Sequence, residues 1–473
     1  MAGIVSGGDY WLTRYVFQRA LGVVFLIAFV CALNQFRPLL GERGLLPAPA
    51  FIREVPFREA PSLFYLAPKD AAFTGAAWAG IVLSVLMISG VALSFGSWLS
   101  AAVWGLIWVL YLSFVNVGQI FYGFGWESIL LEAGFFSMFL GADRVAPQAL
   151  SLWALRWLEF RIMFGAGLIK LRGDSCWKDL TCLYYHYETQ PMPNPLSWYF
   201  HNAPHWTQRA GVAFNHFAET IVPFGYFLPQ PFASIAGVIT ILFQGTIMAS
   251  GNLSWLNFLT MILALPMIAL PHGARALLEP SLLHKSLVAS MAAAVALLSV
   301  YPVRNMISSR QIMNTSFNAW HLVGTYGAFG SITRTRYEVV VEGTAGDARD
   351  PAAVWREYEF KGKPGSIARM PAQIAPYHLR LDWLMWFAAM GSYREQPWFV
   401  PFVAKLLRND GPTLSLLAGN PFPEAPPKYI RAELYRYEFT SPEERRRTGN
   451  WWRRDRAGEW FPPVSLDMFR LRE

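Results

Sequence analysis

Charge is scarce in this sequence. Of its 473 residues only 15% are Asp, Glu, Lys or Arg, against roughly 25% in an ordinary soluble chain. Cysteine is scarcer still, with three in the whole chain, which excludes a disulfide-framed scaffold. No glycine-rich phosphate loop, G-x-S-x-G elbow or H-E-x-x-H run is present, so the common signatures of nucleotide-binding, hydrolytic and zinc enzymes are missing. What is abundant is apolar: 54% hydrophobic residues and a mean hydropathy of +0.27. That composition excludes a disordered tail protein, a collagen-like chain and a single water-soluble enzyme.

The charge deficit is uneven. Residues 1–303 hold 16 Lys and Arg with 14 Asp and Glu, about one charge in ten positions, while residues 304–473 hold 24 and 18, about one in four. The division predicts a polytopic membrane domain over 1–303 and a polar domain over 304–473. The first apolar run lacks a small-residue cleavage site and reads as an anchor. Runs near the roughly 20 residues needed to cross a bilayer fall at 15–36, 72–95, 99–121, 152–171, 211–228, 231–249, 252–270 and 286–303. The run 128–141 is shorter and contains Glu132. The fold class expected is therefore an α-helical multi-pass membrane bundle of eight spans, or nine if this run crosses. Trp and Tyr crowd the run ends, among them Tyr10, Trp11, Trp98, Tyr122, Trp126 and Trp153. They read equally as an interfacial belt or as packed core.

Charges within spans are costly and face a partner or a cavity. Arg156 and Glu159 are spaced to pair on one helical face; they make either a structural ion pair or the wall of a buried polar site. Lys170, at the end of its span behind Gly165 and Gly167, either snorkels to the headgroups or serves as a buried base. Cys176 and Cys182 would form a local disulfide on an oxidising face, whereas the positive-inside rule puts 37–69, 170–209 and the polar domain in the cytoplasm. The run Thr189 to Pro195 (TQPMPNP) is stiff and flanked by aromatics, as a binding surface or a packed plug. His201 with His205, and His216 with Glu219, lack the convergence of a metal site, and neither metal nor cofactor is expected.

After residue 304, 337–343 and 355–361 read as a hairpin, 379–408 as helical, and 429–439 and 451–461 as a strand and a tight hairpin. The result is a β-rich mixed α+β C-terminal domain. Arg445, Arg446, Arg447, Arg453, Arg454 and Arg456 alternate with acidic residues and read as a solvated strand face, with anionic lipid headgroups as the next choice and nucleic acid excluded.

Five runs carry a family resemblance: GAGLIKLRGDSCWKDLTCLYYHYETQPMPNP (165–195), SGNLSWLNFLTM (250–261), SSRQIMNTSFNAWHLVGTYGAFGSIT (308–333), APYHLRLDWLMWFAAM (375–390) and NPFPEAPPKYIRAELYRYEF (420–439). They resemble the lipase maturation factors from about residue 10 to the C-terminus. The resemblance implies a multi-pass membrane protein without enzymatic activity that helps secreted homodimeric lipases fold and assemble into active form. It further implies the endoplasmic reticulum membrane, as in animals, or the cell membrane for a prokaryotic source. The C-terminal region would bind the client through Trp320, His321, Tyr326, Phe329, Tyr377, His378, Trp383 and Trp386, with membrane lipids as the other partner. A lumenal C-terminal region favours the disulfide over the positive-inside reading. A shorter similarity, Gly167, Lys170, Leu171 and Trp177, is to the membrane domain of the vitamin K-dependent γ-carboxylase. It implies the alternative of a membrane enzyme acting on a lipid or quinone, with Lys170 as base in a pocket of Arg156, Glu159 and His186.

Overall fold

The computed structural model describes residues 10–271, 273 and 276–470. The main helices of the first half, in chain order, are α1 (Trp11–Leu40), α2 (Asp70–Ile88), α3 (Ser97–Val117), α4 (Gly125–Ser137), α5 (Ala149–Arg172), α6 (His205–His216), α7 (Phe232–Ser250), α8 (Leu256–Ala264) and α9 (Leu282–Ile307). Among the described residues five helices, α1, α2, α3, α7 and α9, are long and apolar enough to cross a membrane.

The remaining expected spans differ from full-length apolar helices, each for a local reason. The helix over 152–171 is long, but Arg156, Glu159 and Arg161 make it too charged to read as a simple span. The run 128–141 gives the 13-residue α4. The span expected at 211–228 breaks after His216 into a π turn (Phe217–Ile221) and a 3-10 turn (Val222–Phe227). Pro223 supplies the cause, because it has no N–H to give and its ring crowds the carbonyl one turn earlier. Pro266 ends α8 in the same way, in the 3-10 turn Leu265–Met267.

Helix ends are tied to one another at two levels. At one, Arg14 of α1 donates to the Val145 carbonyl at 2.5 Å, Gln230 donates to the Tyr10 hydroxyl at 2.7 Å, and the His284 ring lies 3.1 Å from the Phe139 carbonyl. At the other, Gln35 of α1 donates to the His378 carbonyl at 2.6 Å, Asn116 to the Ala319 carbonyl at 3.0 Å, and Gln190 to the Ser250 carbonyl at 2.8 Å. The loops after α1, α3, α5 and α7 and the region after Ile307 meet at this second end.

That region holds a four-stranded antiparallel sheet, β1 (Arg336–Thr344), β2 (Arg356–Glu357), β3 (Tyr429–Phe439) and β4 (Trp452–Ser465), in the order β2-β1-β3-β4. The register pairs Val340 with Glu433 and Phe439 with Trp452. The tight hairpin expected at 451–461 is instead one continuous strand. Gly458, at φ +157°, lies beside a register shift between Leu434 and Tyr435: the glycine that resembles a turn in sequence serves a β-bulge. The helical stretch at 379–408 resolves into α10 (Arg380–Ala388), a 3-10 turn and a second short helix, Phe399–Leu406.

One contiguous set of buried apolar side chains runs from Phe25, Trp104 and Leu130 in the helices through Trp255 and Trp383 to Phe399, Ile430 and Phe461 beneath the sheet. The change in charge density near residue 304 is thus not a boundary in packing. Most of the aromatics at the run ends are buried, Tyr10, Trp11, Trp104, Tyr122 and Trp126 among them, while Trp98 is exposed.

Candidate functional site

Four groups of buried polar side chains tie the helices to one another and to the region that carries the sheet. Glu127, in the first turn of α4, is fully buried. One carboxylate oxygen lies 2.8 Å from Nη1 of Arg380 and 3.7 Å from Nδ1 of His378, and the other accepts the Tyr111 hydroxyl. Arg380 also donates to the Phe121 carbonyl at 2.7 Å and lies 3.4 Å over the Tyr122 ring. Gln35 donates to the His378 carbonyl and accepts the Arg380 N–H at 2.9 Å. The His378 imidazole sits among the rings of Phe124, Trp126 and Trp255, and burial pushes its pKa down to about 4. A charge taken out of water needs a partner of opposite sign. Here the partners come from opposite ends of the chain, so satisfying them joins the two regions.

Deeper in the bundle, Arg161 of α5 pairs with Glu132 of α4 and donates to the Gly324 carbonyl at 2.8 Å, while the Tyr326 hydroxyl donates to Glu132 at 2.8 Å. Lys170 does not snorkel. Its Nζ is 2.6 Å from Glu219 and 2.9 Å from Oδ1 of Asn215, whose amide donates to Glu219 at 2.9 Å. The Trp177 ring lies 5.0 Å from the ammonium. The π turn turns Glu219 inward, and Gly167 permits the approach: a Cβ there would meet Thr220 at 2.7 Å.

The proline-rich run is a packed plug. Thr189, Gln190, Met192 and Asn194 are buried. Arg336 of β1 donates to the carbonyls of Glu188 and Pro191, each at 3.0 Å, and to that of Gln190, while pairing with Glu338 at 2.5 Å. Asn252 donates to the Pro193 and Ala372 carbonyls and accepts the N–H groups of Ile374 and Ala375. Glu188 accepts the Phe439 N–H at 2.6 Å, and burial raises its carboxyl to about 7. The extended backbone has few internal hydrogen bonds, so its polar groups are satisfied by side chains from both regions.

Arg156 and Glu159 do not pair. Arg156 donates to the Pro266 and Tyr226 carbonyls and the Tyr10 hydroxyl, and Glu159 is buried with no hydrogen-bond partner among the described residues. Arg156 lies at the end of the bundle away from the sheet, about 21 Å along α5 from Lys170 at 1.5 Å per residue. His186 is half-buried against the Phe329 ring. The expected pocket of Lys170, Arg156, Glu159 and His186 is therefore not assembled: the helix rise separates Arg156 and Glu159 from Lys170, while His186 lies near enough to Lys170 to feel its charge.

Of the expected client contacts, Tyr326, His378 and Trp383 are buried, and bury the join instead of facing outward. His321 bridges Ser128 and Asn116, both at 2.9 Å, Tyr377 accepts from Asn34 and Gln35, and Trp386 donates to the Thr189 carbonyl at 3.0 Å. Phe329 is half-buried, and Trp320 is exposed, with its ring 6.1 Å from that of Trp108. Cys176 and Cys182 form a disulfide packed against Trp177, Val212 and Ile332. Asp174 caps the turn that follows it and pairs with Arg334 at 2.7 Å, which holds its carboxyl down at about 2. Among the described residues no group of three or more His, Cys, Asp or Glu is arranged to hold a metal ion.

Sequence reasoning missed Glu127, Arg380, Arg336, Gln35 and Asn252. One signal was available: His378, Arg380 and Asp382 stand in the mostly apolar and aromatic run 375–390, where a charged group needs a buried partner.

A family model described as the lipase maturation factor transmembrane domain matches residues 12–272, and one described as the lipase maturation factor C-terminal domain matches residues 322–462. The chain is 43% identical over 514 residues to lipase maturation factor 1 of Homo sapiens, covering 98% of this chain and 89% of that protein. With lipase maturation factor 1 of Bos taurus the identity is 42% over 518 residues, covering 98% and 91%. With lipase maturation factor 2 of Xenopus laevis it is 29% over 593 residues, covering 97% and 83%. No solved structure matches significantly.

Proposed function

Because this chain belongs to the lipase maturation factor family, we propose that it is a membrane-embedded maturation factor that helps secreted homodimeric lipases fold and assemble into active form. The observation that carries this reading is an identity of 43% that extends over 98% of the chain, so helices and sheet both have counterparts in the relative. The physical task is to cover apolar surface on a folding intermediate until its partner subunit docks.

All nine helical segments cross the membrane in this proposal, α4, α5, α8 and the broken α6 included. The tying of their ends at two opposite levels supports it, and polar or broken helices are tolerated where neighbours satisfy them. The Cys176–Cys182 disulfide supports an oxidising location for the sheet end. That face is the lumen in an endoplasmic-reticulum membrane, or the outer face of a prokaryotic cell membrane.

The client surface is built on Trp320, with Phe329, Tyr377, Trp386 and His321 around the same end of the bundle, and the buried Tyr326, His378 and Trp383 holding that surface in place. In cells lacking their own maturation factor, expression of this protein is expected to restore secreted lipase activity per unit of lipase mass. Trp320→Ala should lower that specific activity several-fold with the factor's abundance unchanged. Parental activity in the variant would remove Trp320 from the surface, and no restoration by the parent protein would reject the role itself.

The enzyme alternative rests on Lys170. Its Nζ is enclosed in the bundle and held by Glu219 and Asn215. The arrangement supports a buried counterion.

A further inference from the structure

The connection from β3 to β4 carries a short helix, Pro442–Thr448, with Arg445, Arg446 and Arg447 in its last turn. Its position is set by Trp198, whose indole N–H donates to the Thr440 carbonyl at 2.7 Å. The segment bearing Trp198 is fastened to the end of α7: Asn194 donates to the Ala249 carbonyl at 3.0 Å and Ser197 to the Ser250 carbonyl at 2.7 Å. The arginines therefore stand beside the end of a helix long and apolar enough to cross the bilayer.

Between the two pieces lies an open cleft of about 410 Å³ lined by Trp198, Tyr199, Pro442, Arg445, Arg446 and Gly449. Arg445 lies 3.1 Å from the Trp451 ring centroid, and its buried Nη1 has no hydrogen-bond partner among the described residues. Arg446 uses its Nε on the Pro442 carbonyl at 3.0 Å and forms no ion pair among the described residues. Glu438 is engaged by Arg436 and Arg453 and Glu444 by Arg453 at 3.7 Å, while Glu443, in the first turn of the same short helix, forms no ion pair with Arg445 or Arg446. The cleft is thus lined by two guanidinium groups, Arg445 and Arg446, that form no ion pair among the described residues. Its neighbours on the bundle side are exposed and apolar or aromatic: Leu196 at 46%, Tyr199 at 54% and Trp206 at 73%.

Guanidinium forks match the oxygens of a phosphate group, and exposed Trp and Tyr at the end of a spanning helix mark headgroup depth. We infer that this cleft binds the phosphate of an anionic phospholipid headgroup in the leaflet on the sheet side of the membrane. Acyl chains would lie along Leu196, Tyr199 and Trp206, where an acidic protein segment finds no charge. Headgroup binding also fixes the height of the β3–β4 connection against the bilayer, which orients the sheet end above it.

The test uses the full-length protein, delipidated in neutral detergent, with phosphatidylglycerol and phosphatidylcholine as probes and bound lipid read by native mass spectrometry and by the shift in melting temperature. Phosphatidylglycerol should be retained and should raise the melting temperature, and phosphatidylcholine should do neither. Arg446→Gln, an exposed position, should weaken phosphatidylglycerol about five-fold, and adding Arg445→Gln should weaken it about five-fold again. Arg408→Gln, outside the cleft, should match the parent, and unliganded melting temperatures show that each variant is folded. Equal retention of both lipids, or parental binding by Arg446→Gln, would overturn the inference. It would also fail if inorganic phosphate alone reproduced the melting shift, marking a free-anion site, or if a polyglutamate peptide displaced the lipid, marking a protein-binding surface.

Discussion

Lys170 shows what a buried charge costs when its partner is removed. The ammonium and the Glu219 carboxylate are 2.6 Å apart and almost fully enclosed. Removing one member strands the other, at about 3–5 kcal/mol. Lys170→Met is therefore expected to lower the melting temperature in detergent and the amount of folded protein, and Glu219→Leu in the same chain to recover part of the loss. The enzyme alternative makes the opposite prediction, lost function at normal abundance, so abundance measured beside activity separates the two.

Four histidines set the response to pH between about 4 and 7. Burial holds His186, His201, His321 and His378 neutral, each lowered to about 4. Between that value and the unfolded value near 6.5 the unfolded chain takes up protons that the folded chain refuses. Stability then falls as pH drops from about 6.5 toward 4, by roughly 3 kcal/mol for the fully buried His378. Glu188 acts in the opposite sense: raised to about 7, it loses stability as pH climbs through that range. Glu188 against four imidazoles leaves net acid lability. The melting temperature should be lower at pH 5 than at pH 7.5, and Glu188→Gln should steepen that difference.

At the scale of elements, the segment between α5 and α6 holds only short helices, Ser175–Lys178, Leu183–Thr189 and Ser197–His201, and depends on fasteners. The disulfide closes a sequence separation of six residues, and a loop that short contributes roughly 2 kcal/mol through the unfolded chain. Cys176→Ser with Cys182→Ser should lower the melting temperature by a few degrees and leave the protein folded, since Asp174 with Arg334, and Trp177 donating to the Phe329 carbonyl, still hold the turn. Thiol labelling of the native protein before and after reduction checks the bond directly. A melting temperature unaffected by the double substitution would show that these contacts suffice alone. The elements themselves were unequally legible. The long runs of α1, α2, α3, α7 and α9 were visible because hydropathy is a local sum, and the β1 and β3 runs because β-formers cluster. The π turn before Pro223 and the bulge at Gly458 were not, because a proline or a glycine is consistent with several local shapes and the neighbours select one.

At the scale of the molecule, the helices and the sheet share one interior. Glu127 meets Arg380, Gln35 meets His378, and the apolar cluster continues from Phe25 to Phe461. Residues 308–473 expressed alone are thus expected to lack a cooperative heat transition and to expose Trp383 and its neighbours. Differential scanning calorimetry on that fragment checks it, and a sharp transition would show that the sheet region carries its own core.

The sequence by itself determined that this is a membrane protein, because a shortage of charge over some 300 residues leaves long apolar runs no aqueous alternative. It determined the family as well, since the matching runs are long and spread over both halves. Only the tertiary structure decided which buried charges meet. The spacing of Arg156 and Glu159 suggested a pair that does not form, while Glu127 and Arg380 pair across more than half the chain. Helical periodicity describes neighbours within one turn, but a buried charge is satisfied by whichever partner the packing brings within about 3 Å, and packing is a property of the folded chain.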